Sequence, residues 1–214
     1  QICCALSPDG KRLVTTDKHG AIRIVDTSSG QELKRFQQAP AEDLAAGFVF
    51  YRRTLLVKGG GQARLLDAES GAVVNDFGGR RVTFAASVFE DPNWVVTLSS
   101  EDSRVMLWEE KGKAPLLELA GHSRPQYAVC TNDGKRLLTM DTSAARLFDT
   151  SNGRKTREIK QPGTGSLEQA MVSERGDRIL TVSSDSTIRL WNSDSGDKPL
   201  IEIREGGRVT QASF

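Results

Sequence analysis

"DTSSG", residues Asp26–Gly30, returns as "DAESG" at 67–71, "DTSNG" at 149–153 and "NSDSG" at 192–196. With Gly112 added, the closing glycines Gly30, Gly71, Gly112, Gly153 and Gly196 stand 41, 41, 41 and 43 residues apart. Ahead of each lies a run of strand-forming residues: "AIRIVD" at 21, "ARLLD" at 63, "RVMLWE" at 104, "ARLFD" at 145 and "TIRLWN" at 187. A second turn precedes most of these runs, as "SPDGKR" at 7, "DPNW" at 91, "NDGKR" at 132 and "ERGDR" at 174. It leads into "RLVTT", "WVVTLSS", "RLLTM" or "RILTVSS", which makes a hairpin. An apolar stretch such as "AVC" or "QAMVS" comes before that turn, and "ELKRF", "VVNDF", "LLEL", "REI" or "LIEI" follows the "SG"-type turn. One unit therefore holds four strands. Glycine recurs at the turns because tight hairpins need positive φ, which glycine reaches without steric cost.

A four-stranded unit of about 41 residues matches a propeller blade, at roughly 40 to 45 residues, whereas helical repeats of that length need amphipathic helices that these turn-broken runs cannot supply. Composition agrees. Of 214 residues 20 are glycine and only 6% aromatic, as suits a turn-rich β protein. Twenty-nine basic residues against 28 acidic ones give a net charge of +1, without the cationic footprint of a nucleic-acid or anionic-membrane binder. No apolar run approaches the roughly 18 residues of a spanning helix, which predicts a soluble chain. Three cysteines, Cys3, Cys4 and Cys130, are too few for a disulfide framework and no Asn-x-Ser/Thr sequon occurs, so a reducing, cytoplasmic setting is the expectation.

The segments "SPDGKRLVTT", "IRIVD" and "GDRILTVSSDSTIRLWN", each with its "SG" turn, resemble the WD40 repeat family, whose units carry Gly-His near the start and Trp-Asp at the end of the third strand. The likeness covers essentially the whole chain, in units at about 1–36, 37–77, 78–119, 120–159 and 160–203, with 204–214 opening a sixth. Trp stands at its position only as Trp108 and Trp191, replaced by Val25, Leu66 and Phe148 elsewhere, and Gly-His occurs once, as Gly121–His122. The resemblance implies an all-β propeller and, within a blade, a hydrogen-bonded chain of His, Ser/Thr, Asp and Trp. No unit has all four. Unit four offers His122, Thr139 and Asp141 without an indole; units three and five offer Trp108 with Asp102 and Ser100, and Trp191 with Asp185 and Ser183. Because "QICCALS" opens a unit and "RVTQASF" a further one, the expectation is an excerpt of a seven-bladed ring, which needs roughly 70 more residues. A closed five-bladed ring is the rival, within the range of about 4 to 8 blades.

Residues for catalysis are scarce. Only His19 and His122 could serve as a histidine base, neither near a GxSxG elbow, and the cysteines do not cluster for zinc. Cys4 and Cys130 fall on first strands, where buried small side chains are expected, and His19 falls in an exposed turn. "DFG" at 76–78, "RGD" at 175–177 and "GGG" at 59–61 lack the companion motifs of a kinase, an adhesion site or a phosphate loop, and each reads as a strand end or a turn. No catalytic, metal or cofactor residue is assigned.

Surface remains. The links between units and the turns between second and third strands share one rim, where Arg80, Arg81, Arg124 and Arg208 recur as candidates for binding a protein or peptide partner. The competing account is scattered charge balanced by Asp102, Asp141 and Asp185. Arg23, Arg64, Arg146 and Arg189, two places before the Trp position, are expected to pack their stems between blades. The leading expectation is a non-catalytic scaffold acting through rim loops. The alternative, implied by the resemblance, is a sensory or regulatory module of a larger kinase, NTPase or protease that contacts other domains of its parent chain. An enzyme with its site in the central funnel comes last. Neither a nucleic acid nor a membrane is expected as partner.

Overall fold

A computed structural model describes residues 3–7, 9–38, 45–49, 54–77, 82–88, 94–162 and 165–214. Among them are five antiparallel four-stranded sheets and no helix. The first sheet holds β1 (Cys3–Leu6), β2 (Arg12–Thr16), β3 (Ala21–Asp26) and β4 (Glu32–Gln37). The second holds β5 (Ala45–Val49), β6 (Thr54–Gly59), β7 (Gln62–Asp67) and β8 (Val73–Asp76), and the third β9 (Phe84–Val88), β10 (Trp94–Ser99), β11 (Arg104–Glu109) and β12 (Leu117–Leu119). The fourth holds β13 (Tyr127–Cys130), β14 (Arg136–Met140), β15 (Ala144–Asp149) and β16 (Lys155–Lys160), and the fifth β17 (Leu167–Val172), β18 (Arg178–Ser183), β19 (Thr187–Asn192) and β20 (Ile201–Arg204). Each sheet is a meander in chain order. The first strands β1, β5, β9, β13 and β17 neighbour one another in sequence, so the sheets fan out from a shared line as propeller blades do.

The recurring turn works as its composition demands. Asp26 Oδ1 accepts the backbone N–H groups of Ser28 and Ser29 at 3.0 and 2.8 Å, and Asp67 Oδ1 those of Glu69 and Ser70 at 3.0 and 2.7 Å. Asp149 and Asn192 cap their turns likewise. Gly30, Gly71, Gly153 and Gly196 then take φ of 70°, 72°, 70° and 85°. Gly112 has no positive φ, which departs from the expectation for this position. Glu109 stands where the others have Asp or Asn, and the turn is one residue shorter, so Gly112 N–H bonds Glu109 C=O three residues back instead of four.

Side chains alternate across each strand, so every sheet has two faces marked by neighbouring cross-strand pairs on its middle strands. One face carries Val14–Ile24, Leu56–Leu65, Val96–Leu107, Leu138–Leu147 or Leu180–Leu190; we call it the leading face. The other, trailing, face carries Leu13–Val25, Leu55–Leu66, Val95–Trp108, Leu137–Phe148 or Ile179–Trp191. The core consists of four seams, each joining a leading face to the trailing face of the next sheet. Val14, Ile22 and Ile24 meet Leu55 and Leu66; Leu56 and Leu65 meet Val95 and Trp108. Val96 and Leu107 meet Leu137 and Phe148; Leu138 and Leu147 meet Ile179 and Trp191.

Turn glycines also seat the sheets. A Cβ on Gly71 would lie 2.3 Å from the Phe36 ring of the preceding sheet, and one on Gly153 would lie 3.3 Å from Leu117. Residues 205–214 form no strand. They run beside β17, where the Gln169 amide donates to Thr210 C=O at 2.9 Å and accepts from Ala212 N–H at 3.2 Å.

Candidate functional site

The rim forms because each link leaving a sheet is tied to the turn between that sheet's second and third strands. Gln38 N–H donates to Gly20 C=O, Val82 to Gly61, Gln161 to Ser143 and Glu205 to Ser186, at 2.8 to 3.0 Å. Arg80 and Arg81 lie outside the described residues. Arg124, in the link to the fourth sheet, has φ of 59°, and its backbone N–H reaches Ser103 Oγ at 3.4 Å while Ser100 Oγ holds Pro125 C=O at 2.7 Å. Its side chain is exposed, and no carboxylate is paired with its guanidinium among the described residues. Arg208 is 77% exposed and contacts Glu168 Oε1 at 3.2 Å. It lines a polar groove of about 480 Å³ with Gln126, Thr142, Ser166, Glu168 and Gln169. Arg124 stands two residues before Gln126 and does not line that groove.

Among the described residues no rim aspartate is paired with Arg124 or Arg208. Asp17 Oδ1 accepts the N–H groups of His19 and Ala21 at 2.9 and 3.0 Å, and Asp185 that of Thr187 at 3.1 Å. Asp102 meets Ser99 Oγ at 3.3 Å. Asp141 is fully buried, accepts N–H groups from Ser123, Ser143 and Ala144, and pairs with Arg146 at 2.6 Å. Burial acts to raise the Asp141 pKa, and those N–H groups with Arg146 outweigh it, holding the carboxyl at about 2. The carboxylates of Asp17, Asp141 and Asp185 thus cap their own turns.

The polar links inside the sheets divide into those the residues announced and those they did not. His122 Nε2 meets Thr139 Oγ1 at 2.7 Å and its Nδ1 meets Leu119 C=O at 3.1 Å, while the ring stacks on Phe148 at 5.5 Å. The carbonyl can only accept, so Nδ1 carries the proton and Nε2 accepts from threonine. Burial, aided by Arg146, lowers the His122 pKa to about 4. In units three and five the hydroxyl partners differ from those expected. Trp108 and Trp191 donate their indole N–H to Thr97 and Thr181, each at 2.9 Å. Thr97 pairs with Met106 and Thr181 with Arg189, one diagonal step from the indole on the same face; Ser100 has the opposite parity and Ser183 lies one step too far.

The third-strand arginines bond across to the fourth strand: Arg146 to Glu158 at 3.0 Å, Arg189 to Glu202 at 2.9 Å, Arg64 to Asp76 at 3.0 Å and Arg23 to Glu32 at 3.8 Å. Arg146 and Arg189 are buried, whereas Arg23 is exposed. A second set, missed in the sequence, clasps neighbouring sheets. Arg136 Nη1 donates to Gly176 C=O, Ser193 Oγ and Asp194 Oδ1 of the fifth sheet at 3.1, 3.1 and 2.7 Å, and Arg12 pairs with Glu69 of the second at 3.4 Å. The signal was present in the arginine that closes "GKR" and "GDR" at one distance from each turn glycine.

Cys4 is exposed, correcting the expectation of burial, because it faces the uncovered trailing side of the first sheet. The Cys3 side chain lies outside the described residues. Cys130 is partly buried, and burial, with Asp133 adding to it, pushes its thiol up to about 12, so no thiolate nucleophile forms there near neutrality. Asp76 pairs with Arg64, Phe77 is buried against Trp108, and Gly176 is a turn glycine, so the described parts of "DFG" and "RGD" serve the fold. Among the described residues no cluster of His, Cys, Asp and Glu is placed to hold a metal.

A family described as "WD domain, G-beta repeat" matches residues 164–192. The chain is similar to human "WD repeat-containing protein 55", 23% identical over 189 residues, 88% of this chain and 39% of that protein. The mouse protein of the same name is 23% identical over 187 residues, 87% of this chain and 38% of that protein. Human "WD repeat-containing protein 90" is 30% identical over 96 residues, 44% of this chain and 5% of that protein. The chain thus spans about two fifths of the length of the first two relatives.

Proposed function

The chain belongs to the WD40 repeat family, and on that premise we propose that it is a non-catalytic scaffold whose rim loops bind a protein partner carrying an acidic segment. One observation carries this reading: Asp17, Asp141 and Asp185 are turned onto the backbone of their own turns, and the exposed Arg124 guanidinium is paired with no carboxylate among the described residues. Arg208 adds a second cation beside a groove lined by amide and hydroxyl groups, the chemistry that reads an extended peptide backbone. The scarcity of a nucleophile supports the non-catalytic part, since the Cys130 thiol is raised and His122 is tied up in the core. Arg80 and Arg81 enter this proposal as further rim cations.

Selection of a random peptide library on the immobilised chain is the test. Recovered sequences should be rich in Asp and Glu. Arg124→Glu combined with Arg208→Glu should weaken binding of a recovered peptide by about tenfold or more, near 1.4 kcal/mol, with the melting temperature unchanged. Peptides without acidic bias, or equal binding by the double variant, would remove the rim reading.

A further inference from the structure

In each of the first four sheets, one fourth-strand position faces the seam with the next sheet, opposite a leading-face residue of the third strand. It is Lys34 beside Ile24, Asn75 beside Leu65, Leu117 beside Leu107 and Arg157 beside Leu147. Three of these four side chains are fully engaged by the sheet that follows. Lys34 Nζ pairs with Glu69 at 3.6 Å, and Asn75 Nδ2 donates to the C=O groups of Glu110 and Gly112 at 3.0 and 2.8 Å. Leu117 packs on Gly153, where a Cβ would lie 3.3 Å from it. Arg157 is the exception. Its Nη2 donates to Gly196 C=O and its Nη1 stands 3.9 Å from Asp197 Oδ1, while Nε is buried without a hydrogen-bond partner. Among the described residues only Thr16 Oγ1 shares that condition. A buried N–H that has given up water without finding an acceptor favours any oxygen brought against it.

Arg157 lines a cleft of about 380 Å³ in this seam, between β16 and the β19–β20 hairpin. Ile159, Trp191 and Pro199 give the cleft an apolar wall, while Lys160 and Arg189 join Arg157 as cations. Two of its three carboxylates are already engaged. Glu158 takes both Arg146 and Lys155 at 3.0 Å, and Glu202 takes Arg189 at 2.9 Å. The third, Asp197, is fully exposed to solvent. Lys160 is exposed and is paired with no carboxylate among the described residues. Strand β16 thus carries Lys155, Arg157 and Lys160 against the single Glu158, which leaves the cleft with positive charge in excess. Both of its sides belong to complete four-stranded sheets, and neither Arg124 nor Arg208 lines it.

We propose that this cleft between the fourth and fifth sheets binds a carboxylate carried on an apolar stem, with Arg157 and Lys160 receiving the carboxylate and Ile159, Trp191 and Pro199 the stem. A planar carboxylate matches the guanidinium fork, and Arg157 holds the N–H that lacks an acceptor. A phosphate dianion fits less well, because it brings a second charge toward Asp197 and Glu202 and makes no use of the apolar wall. The volume lies at the small end of the about 300 to 1,000 Å³ of small-molecule sites, so the ligand is short. A free aliphatic acid and the terminal carboxylate of a chain ending in an apolar residue share this chemistry. The rim plays no part in it, and this inference stands or falls independently of the peptide site proposed there.

Titration of the isotope-labelled 214-residue chain, followed by NMR at the Trp191 indole and Arg157 Nε–H signals, tests this. The indole signal is identified by its loss in Trp191→Phe. Octanoate stands for a free acid, and an acetylated tetrapeptide ending in leucine with a free carboxylate stands for a chain terminus. At least one of them should shift both signals saturably, and the tighter binder identifies the source. Octanol and the amidated peptide keep the stem without the charge, and each should bind about tenfold more weakly than its acid. Arg157→Leu, which installs the residue type of the equivalent Leu117, should also weaken binding by about tenfold, read at the Trp191 indole. Should that variant fail to fold, Lys160→Glu, at an exposed position, replaces it with the same expected loss. No saturable shift with either acid, uncharged analogues that bind as tightly as the acids, or a folded variant that binds as wild type does would each overturn the proposal.

Discussion

His122 shows how one side chain becomes a stability element without becoming a functional one. Its ring is buried, stacked on Phe148, and holds a proton only on Nδ1, toward Leu119 C=O. Protonating Nε2 breaks the bond from Thr139 and places a charge near Arg146. The ring ionises near 6.5 in the unfolded chain and near 4 in the fold, so between these values the unfolded chain binds more protons. Stability should therefore be full above pH 6.5 and fall as the pH drops toward 4, by up to about 3 kcal/mol. Asp141, held at about 2 against 3.8, adds a second loss as the pH falls below 3.8 through 2. Chemical denaturation across this range checks the sign: His122→Gln should flatten the upper limb and leave the lower one. The histidine–threonine link was legible in the sequence because Thr139 and Phe148 sit at the repeat's standard positions. The indole partners Thr97 and Thr181 were not, because the choice between Thr97 and Ser100, or Thr181 and Ser183, depends on cross-strand register, which spacing alone does not supply.

At the scale of the element, the capped turn answers two requirements at once. Its aspartate satisfies backbone N–H groups that would otherwise need water, and its glycine both adopts positive φ and, in some sheets, lets the preceding sheet close in. These roles separate in three glycines. Gly71→Ala should cost most, combining about 1 to 2 kcal/mol of left-handed strain with an overpacking cost of about 1 to 3 kcal/mol against Phe36. Gly30→Ala, with positive φ but open space, should cost only the first term, and Gly112→Ala, without positive φ, the least. Denaturant midpoints of the three variants give the order; a Gly112→Ala as damaging as Gly71→Ala would contradict this account. Strand positions and turn spacing were readable because alternation and turn chemistry are local. The Glu109 turn was not distinguished from its counterparts, since it is one residue shorter than theirs while its glycine keeps the 41-residue spacing.

For the whole molecule, stability resides in the seams between sheets, so equal substitutions should differ by where they fall. Leu147→Ala, inside the seam of the fourth and fifth sheets, should cost about 2 to 5 kcal/mol, whereas Leu190→Ala, the matching and partly exposed residue of the fifth sheet, should cost clearly less in this 214-residue chain. Urea denaturation of the two variants measures the difference, and equal losses would show that the fifth sheet's leading face is covered in solution. The all-β repeat, its four-stranded unit and its family were determined by the sequence itself, because φ preferences, capping side chains and two-residue alternation act between residues close in the chain. Tertiary structure alone decided which arginines are free. Arg136 and Arg146 are held by neighbouring sheets and strands, while the exposed Arg124 is paired with no carboxylate among the described residues. It also decided which apolar residues are core: Leu147 and Leu190 look alike in sequence, and packing against the fifth sheet fully buries the first while the second is partly exposed.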